Sequence, residues 1–154
     1  LGYLKSRNYV SVLRDFSDVK RAAGDTPLKV ILEISELNKN EIVKACEICV
    51  DANADFVKTS TGFASGGATF TAVKIMKKII KNQAKIKASG GIQDFETAVK
   101  YLECGADRIG TSTMLKPESD TLQKRNSKIY RRYIETSQKS EVSITNLGLK
   151  ETKV

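Results

Sequence analysis

Residues 55–63 read "DFVKTSTGF". Phe56 and Val57 suit the interior of a strand, Lys58 sets a long cation beside them, and Thr59, Ser60, Thr61 and Gly62 turn the chain. Three other stretches follow the same plan of an apolar run with polar or glycine residues at its end: "LKVILEI" at 28–34, "KIKASGG" at 85–91 and "DRIGTS" at 107–112. Glu33, Lys58, Lys87 and Gly110 hold corresponding places, at spacings of 25, 29 and 23 residues. A repeat of that length is a strand followed by a helix, and successive units imply parallel strands joined by crossovers.

The intervening segments have helical spacing. Tyr9, Val12, Leu13, Phe16, Val19 and Ala23 form one stripe, closed by Gly24. Asn38 with Glu41 predicts a capping box for the next helix. That helix carries Ile42, Ala45, Cys46, Cys49 and Val50 on one face. Its C-x-x-C therefore reads as core rather than as a redox or zinc pair, since free cysteine packs as a small apolar residue. Ala72, Val73, Met76, Ile79 and Ile80 predict a third helix, with Lys74, Lys77, Lys78 and Lys81 on its solvated side. Asp94 caps a fourth, with Phe95, Ala98, Val99 and Leu102 inward and Gly105 as its stop.

The 154 residues suffice for one domain with a core. No apolar run approaches the roughly 20 residues that span a bilayer. The three cysteines fit a reducing compartment, and we expect a cytoplasmic protein. The net charge of +8 suits an anionic partner: nucleic acid, acidic membrane or a phosphorylated small molecule. Residues 118–154 contribute eight Lys and Arg against five Asp and Glu, so the charge is spread along the chain.

Position alone favours a plain reading of Lys58, a lysine that snorkels to water near a strand end. Lys87 changes the balance. Neighbouring parallel strands lie about 4.8 Å apart, so two inward lysines at similar heights are close neighbours. Burial and a nearby like charge both disfavour an ammonium, and a neutral amine attacks carbonyls to form a Schiff base. Two lysines can also bind one phosphate as point charges. Gly62, Gly90, Gly91 and Gly110 each end a strand, where backbone N–H groups can cradle an anion, and Thr111 and Ser112 add hydroxyls. Glu33 reads either as an ion-pair partner for a lysine, the preferred role, or as a proton carrier.

Together, "DFVKTSTGF", "GGAT", "KASGGI" and "GADRIGTS" resemble the deoxyribose-phosphate aldolases over roughly residues 1–115. The resemblance implies an α/β fold, a (β/α)8 TIM barrel of which this chain holds about the C-terminal half. It implies a class I aldolase, without metal or cofactor, that cleaves 2-deoxy-D-ribose 5-phosphate reversibly to acetaldehyde and D-glyceraldehyde 3-phosphate. By resemblance Lys58 is the Schiff-base lysine and Lys87 the second lysine that perturbs it. Gly62, Gly90, Gly91, Gly110 and Ser112 match the phosphate-binding positions. The partner implied is a phosphorylated sugar, not nucleic acid or membrane. The family's proton-shuttling aspartate is expected upstream of Leu1, and Asp15 and Asp18 are not substitutes.

We therefore expect residues 1–116 to form four strand–helix units with the helix before them, 117–136 a basic helix, and 137–154 a polar, frayed tail. Half a barrel leaves two sheet edges and one open apolar face. It is expected to be a C-terminal fragment, poorly stable alone or self-associating into a homo-oligomer. Other readings are an inactive fragment, a non-catalytic phosphate-sugar-binding half-barrel, and nucleic-acid binding through the basic stretch 124–132, which has no recognised motif.

Overall fold

The computed structural model describes residues 1–113. The expected basic helix 117–136, the tail 137–154 and the basic stretch 124–132 lie outside the described residues. A short helix α1 (Gly2–Lys5) precedes α2 (Tyr9–Ala23), and strands and helices then alternate. They are β1 (Lys29–Ile31), α3 (Lys39–Asp51), β2 (Phe56–Lys58), α4 (Phe70–Ile80), β3 (Lys85–Ser89), α5 (Phe95–Glu103) and β4 (Arg108–Gly110). The strands form one parallel sheet in chain order, β1-β2-β3-β4. This is part of an α/β barrel wall.

The strands alternate strictly between two faces. Val30, Val57 and Ile86 stand level with one another, all buried, and meet the helices. From α3 come Ile42, Ala45, Cys46, Ile48 and Cys49; from α4, Ala72, Val73, Met76 and Ile80; from α5, Ala98 and Leu102. Cys46 and Cys49 are wholly buried, as their spacing predicted, and burial pushes the Cys46 thiol up to about 12. Asn38 and Glu41 form the expected capping box, and Asp94 accepts from the Thr97 N–H. The aspartates that open the second and fourth repeats also staple the sheet. Asp55 accepts the Leu28 N–H at 2.8 Å, and Asp107 accepts the Ile86 N–H at 2.9 Å.

Four expectations need correction. The run 28–34 is a strand only over Lys29–Ile31, because Glu33 turns into the left-handed region (φ 57) and Ile34–Glu36 form a 3-10 turn. Lys58 and Lys87 do correspond in register, but the residues level with them are Ile31 in β1 and Arg108 in β4. Glu33 and Gly110 therefore sit two residues further along their chains. Val19, assigned to the buried stripe of α2, is 52% exposed.

The inner face, finally, is not apolar. Its apolar strand side chains are Ile31 and Phe56, and Phe56 is only 5% exposed. Lys29 Nζ, Lys85 Nζ and the Arg108 guanidinium lie 5.5, 5.6 and 4.2 Å from its ring centroid. The cationic heads thus lie within cation–π range of one ring.

Candidate active site

The chemistry-bearing residues gather at the C-terminal end of the sheet. Lys58 closes β2 and Lys87 lies mid-way along β3, directly paired in register, at 9% and 8% exposure. Both belong to the inner face by alternation, one layer above Phe56. Lys87 extends toward β4: a methyl group on Gly110 would lie 2.8 Å from its Cε and 3.7 Å from its Nζ. The expected lysine pair is thus brought together, with Gly110 supplying the space for the second side chain.

Beyond the lysines, side chains replace the regular ladder. Thr59 Oγ1 donates to the Ser89 carbonyl at 2.9 Å and accepts the Ser89 N–H at 3.0 Å. The Ser89 hydroxyl donates to the Ser60 carbonyl at 2.6 Å. These buried bonds fix the ends of β2 and β3 against each other. The Ser60 hydroxyl is buried without a hydrogen-bond partner among the described residues, beside Gly90. Such a group costs about 1–3 kcal/mol.

Gly62, Gly90 and Gly91 all adopt positive φ (98°, 89° and 73°), the conformations that expose successive N–H groups on one side. Gly62 and Gly90 touch: a Cβ on Gly90 would stand 3.6 Å from Gly62 Cα. Gly110 ends β4 level with Ser89, and Ser112 is exposed just beyond it. Thr111 serves differently from the free donor that its hydroxyl suggested. It donates to the Ile92 carbonyl at 2.7 Å and accepts the Thr113 N–H, tying the two loops together.

Glu33 has a definite task. Its carboxylate accepts both the N–H and the hydroxyl of Thr61, closing the β1 end onto the loop after β2. The left-handed backbone of Glu33 aims the side chain there. With Asp15, Phe16, Lys29, Ile31, Thr61 and Phe63 it lines a cavity of about 1080 Å³ beside β1.

Sequence reasoning missed the packing of loop 62–68. Gly67 is pressed onto Gly90 so closely that a Cβ would fall 2.2 Å from the Gly90 oxygen. The Ala68 N–H is shared by the Ser89 and Gly90 carbonyls at 3.1 and 3.0 Å. The paired glycines of "GGAT" were a visible signal, but their partner Gly90 was not.

Comparison with known proteins identifies the family. A family model described as "DeoC/LacD family aldolase" matches residues 2–116. Deoxyribose-phosphate aldolase 1 of Mesoplasma florum is 54% identical over 112 residues, covering 73% of this chain and 51% of that protein. Among solved structures, "QR15, an Aldolase" aligns with TM-score 0.70 and 49% identity over 73% of this chain and 51% of that one. The tetrameric deoxyribose phosphate aldolase of Aeropyrum pernix aligns with TM-score 0.62 and 34% identity, over 68% and 46%. The chain spans about half the length of the relatives it matches. With lysines in register on β2 and β3 and glycines at three successive strand ends, the chain belongs to the DeoC/LacD aldolase family.

Proposed function

We propose that this chain carries the nucleophile and the phosphate seat of a class I aldolase acting on 2-deoxy-D-ribose 5-phosphate. The observation behind the reading is the register of Lys58 with Lys87, both nearly buried. Burial and a second lysine beside it favour a neutral Lys58 amine. Its lone pair attacks the C1 aldehyde, and the carbonyl oxygen leaves as water to give an iminium. The iminium draws in the electron pair of the C2–C3 bond as the C3 hydroxyl loses its proton. D-Glyceraldehyde 3-phosphate departs, and the remaining enamine takes a proton at C2 and is hydrolysed to acetaldehyde. We assign no residue of this chain as acceptor of the C3 hydroxyl proton. Gly62, Gly90, Gly91, Gly110 and Ser112 are the proposed seat of the 5-phosphate, supported by the positive φ of the first three.

Incubation with acetaldehyde and borohydride tests this. One two-carbon adduct on the peptide containing Lys58, lost in Lys58→Arg, is the expected result. Labelling scattered over surface lysines, or phosphate-sugar binding with no adduct, would sink the catalytic assignment. A cytoplasmic setting belongs to the same reading, supported by three free cysteines. So does homo-oligomerisation, supported by the tetrameric Aeropyrum pernix neighbour and testable by sedimentation. No helix among the described residues is long and apolar enough to cross a membrane.

A further inference from the structure

Loop 62–68 leaves β2 rich in glycine and small residues, a composition that does not hold one conformation unaided. Its last peptide is nevertheless gripped from both sides. The Ala68 N–H reaches the end of β3, through Ser89 and Gly90, while the Ala68 carbonyl accepts the Tyr101 hydroxyl at 2.6 Å. Tyr101 belongs to α5, 33 residues away in sequence, and is 5% exposed. Its ring lies 4.3 Å, centroid to centroid, from that of Phe70 at the start of α4. Burial pushes the phenol pKa up, with the nearby Cys104 adding to it, so the hydroxyl keeps its proton and remains a donor.

We infer that Tyr101 is a positioning residue for the phosphate seat: its bond to Ala68 holds loop 62–68 down on Gly90, and so sets where Gly62 stands relative to Gly90 and Gly91. The geometry is tight enough to transmit the constraint. Gly67 has no slack against the Gly90 carbonyl, and Gly62 lies at the other end of the same short loop. Without the hydroxyl the Ala68 carbonyl loses its partner, and the loop keeps only the Ala68 N–H bonds at this end and the exposed Ser65 hydroxyl bond to Glu36 further back. The lysine pair does not depend on this clamp, because Lys58 and Lys87 are held by the β2–β3 ladder. The inference rests on the aldolase reading for its ligand, but not for the clamp itself.

Tyr101→Phe removes one oxygen and keeps the ring on Phe70. Two measurements decide. Hydrogen exchange of the Ala68 amide is expected to quicken in the variant, by about fivefold for the loss of a single hydrogen bond. Unchanged exchange overturns the clamp whatever Lys58 does. The second is half-saturation of borohydride-trapped Schiff base with 2-deoxyribose 5-phosphate against acetaldehyde. The phosphorylated ligand is expected to weaken about fivefold in the variant while acetaldehyde does not. Equal weakening of both makes Tyr101 a general support and overturns the positioning role. Absence of trapping in the unaltered chain counts against the aldolase reading, and the exchange result still decides the clamp.

Discussion

The end of the Lys87 side chain occupies the space in which any residue larger than glycine at position 110 would place its Cβ, 2.8 Å from Cε. Gly110→Ala should therefore act on Lys87 as well as on the packing of β3. The flexible lysine end yields cheaply, but Ser89 Cβ, also 2.8 Å away, is fixed to the backbone of β3 and moves only with the strand. We expect a stability loss of about 2–3 kcal/mol, toward the upper end for overpacking. Imine formation at Lys58 should fall by about 10- to 100-fold, as misplacement of a catalytic group by an ångström does. Thermal unfolding and borohydride trapping measure the two separately; equal trapping in both proteins would contradict the role given to Lys87.

Lys87→Met keeps the length of the stem and removes the charge. Without that like charge, Lys58 holds its proton more firmly. Trapping at pH 7 should drop and should recover as pH rises. A drop of the same size at every pH would mean that Lys87 acts by contact instead.

Gly67→Ala meets backbone rather than side chain, 2.2 Å from the Gly90 oxygen, so no rotamer change relieves it. The expected cost is about 2–3 kcal/mol in thermal or urea unfolding. Gly91→Ala is the control. It has open space around it, and its positive φ alone should cost about 1 kcal/mol. Equal losses in the two variants would show that the glycines are needed for conformation and not for approach.

Ser60→Ala removes a buried hydroxyl that has no hydrogen-bond partner among the described residues. It should leave stability unchanged or raise it by up to about 1 kcal/mol. A clear loss of stability in denaturant unfolding would reveal a bond to Ser60.

Acid should loosen the helix starts and the sheet staple. The Lys5 hydrogen bond and the Asn38 N–H hold the Glu41 carboxyl below its usual 4.5. The Thr97 N–H and hydroxyl hold Asp94 below 3.8. At Asp55 burial pushes the other way, but the bonds from Lys20 and the Leu28 N–H prevail and lower it. A carboxyl with a depressed folded pKa gives stability that is complete above its usual value and lost as pH falls through the folded one. Melting temperature should hold down to about pH 4.5 and decline below it. Asn38→Ala should lower the plateau by about 1 kcal/mol, the usual worth of an N-cap.

What could be read from the chain followed from short-range rules. Cys46 and Cys49 were placed in the core by helical spacing, Asn38 and Asp94 by capping chemistry, and Lys58 beside Lys87 by the length of one strand–helix unit. The family resemblance named the same lysines. The features that escaped depend on partners distant in sequence. Tyr101 was not among the inward positions read for α5, because nothing local shows that its hydroxyl meets Ala68. The turn at Glu33 was hidden because "LKVILEI" has strand composition throughout, while the left-handed backbone serves Thr61, 28 residues later. Helix α1, at four residues, is too short to show a period.

The covering of Phe56 by three cationic side chains bears on the heat of any assembly at this face. A sheet closed over an oily surface sheds ordered water, and its binding enthalpy falls steeply with temperature. Here the surface given up would be largely cationic side chains gathered around one ring. Closure should therefore carry a small heat-capacity change, and titration calorimetry at several salt concentrations should find its affinity governed by ionic strength more than by temperature.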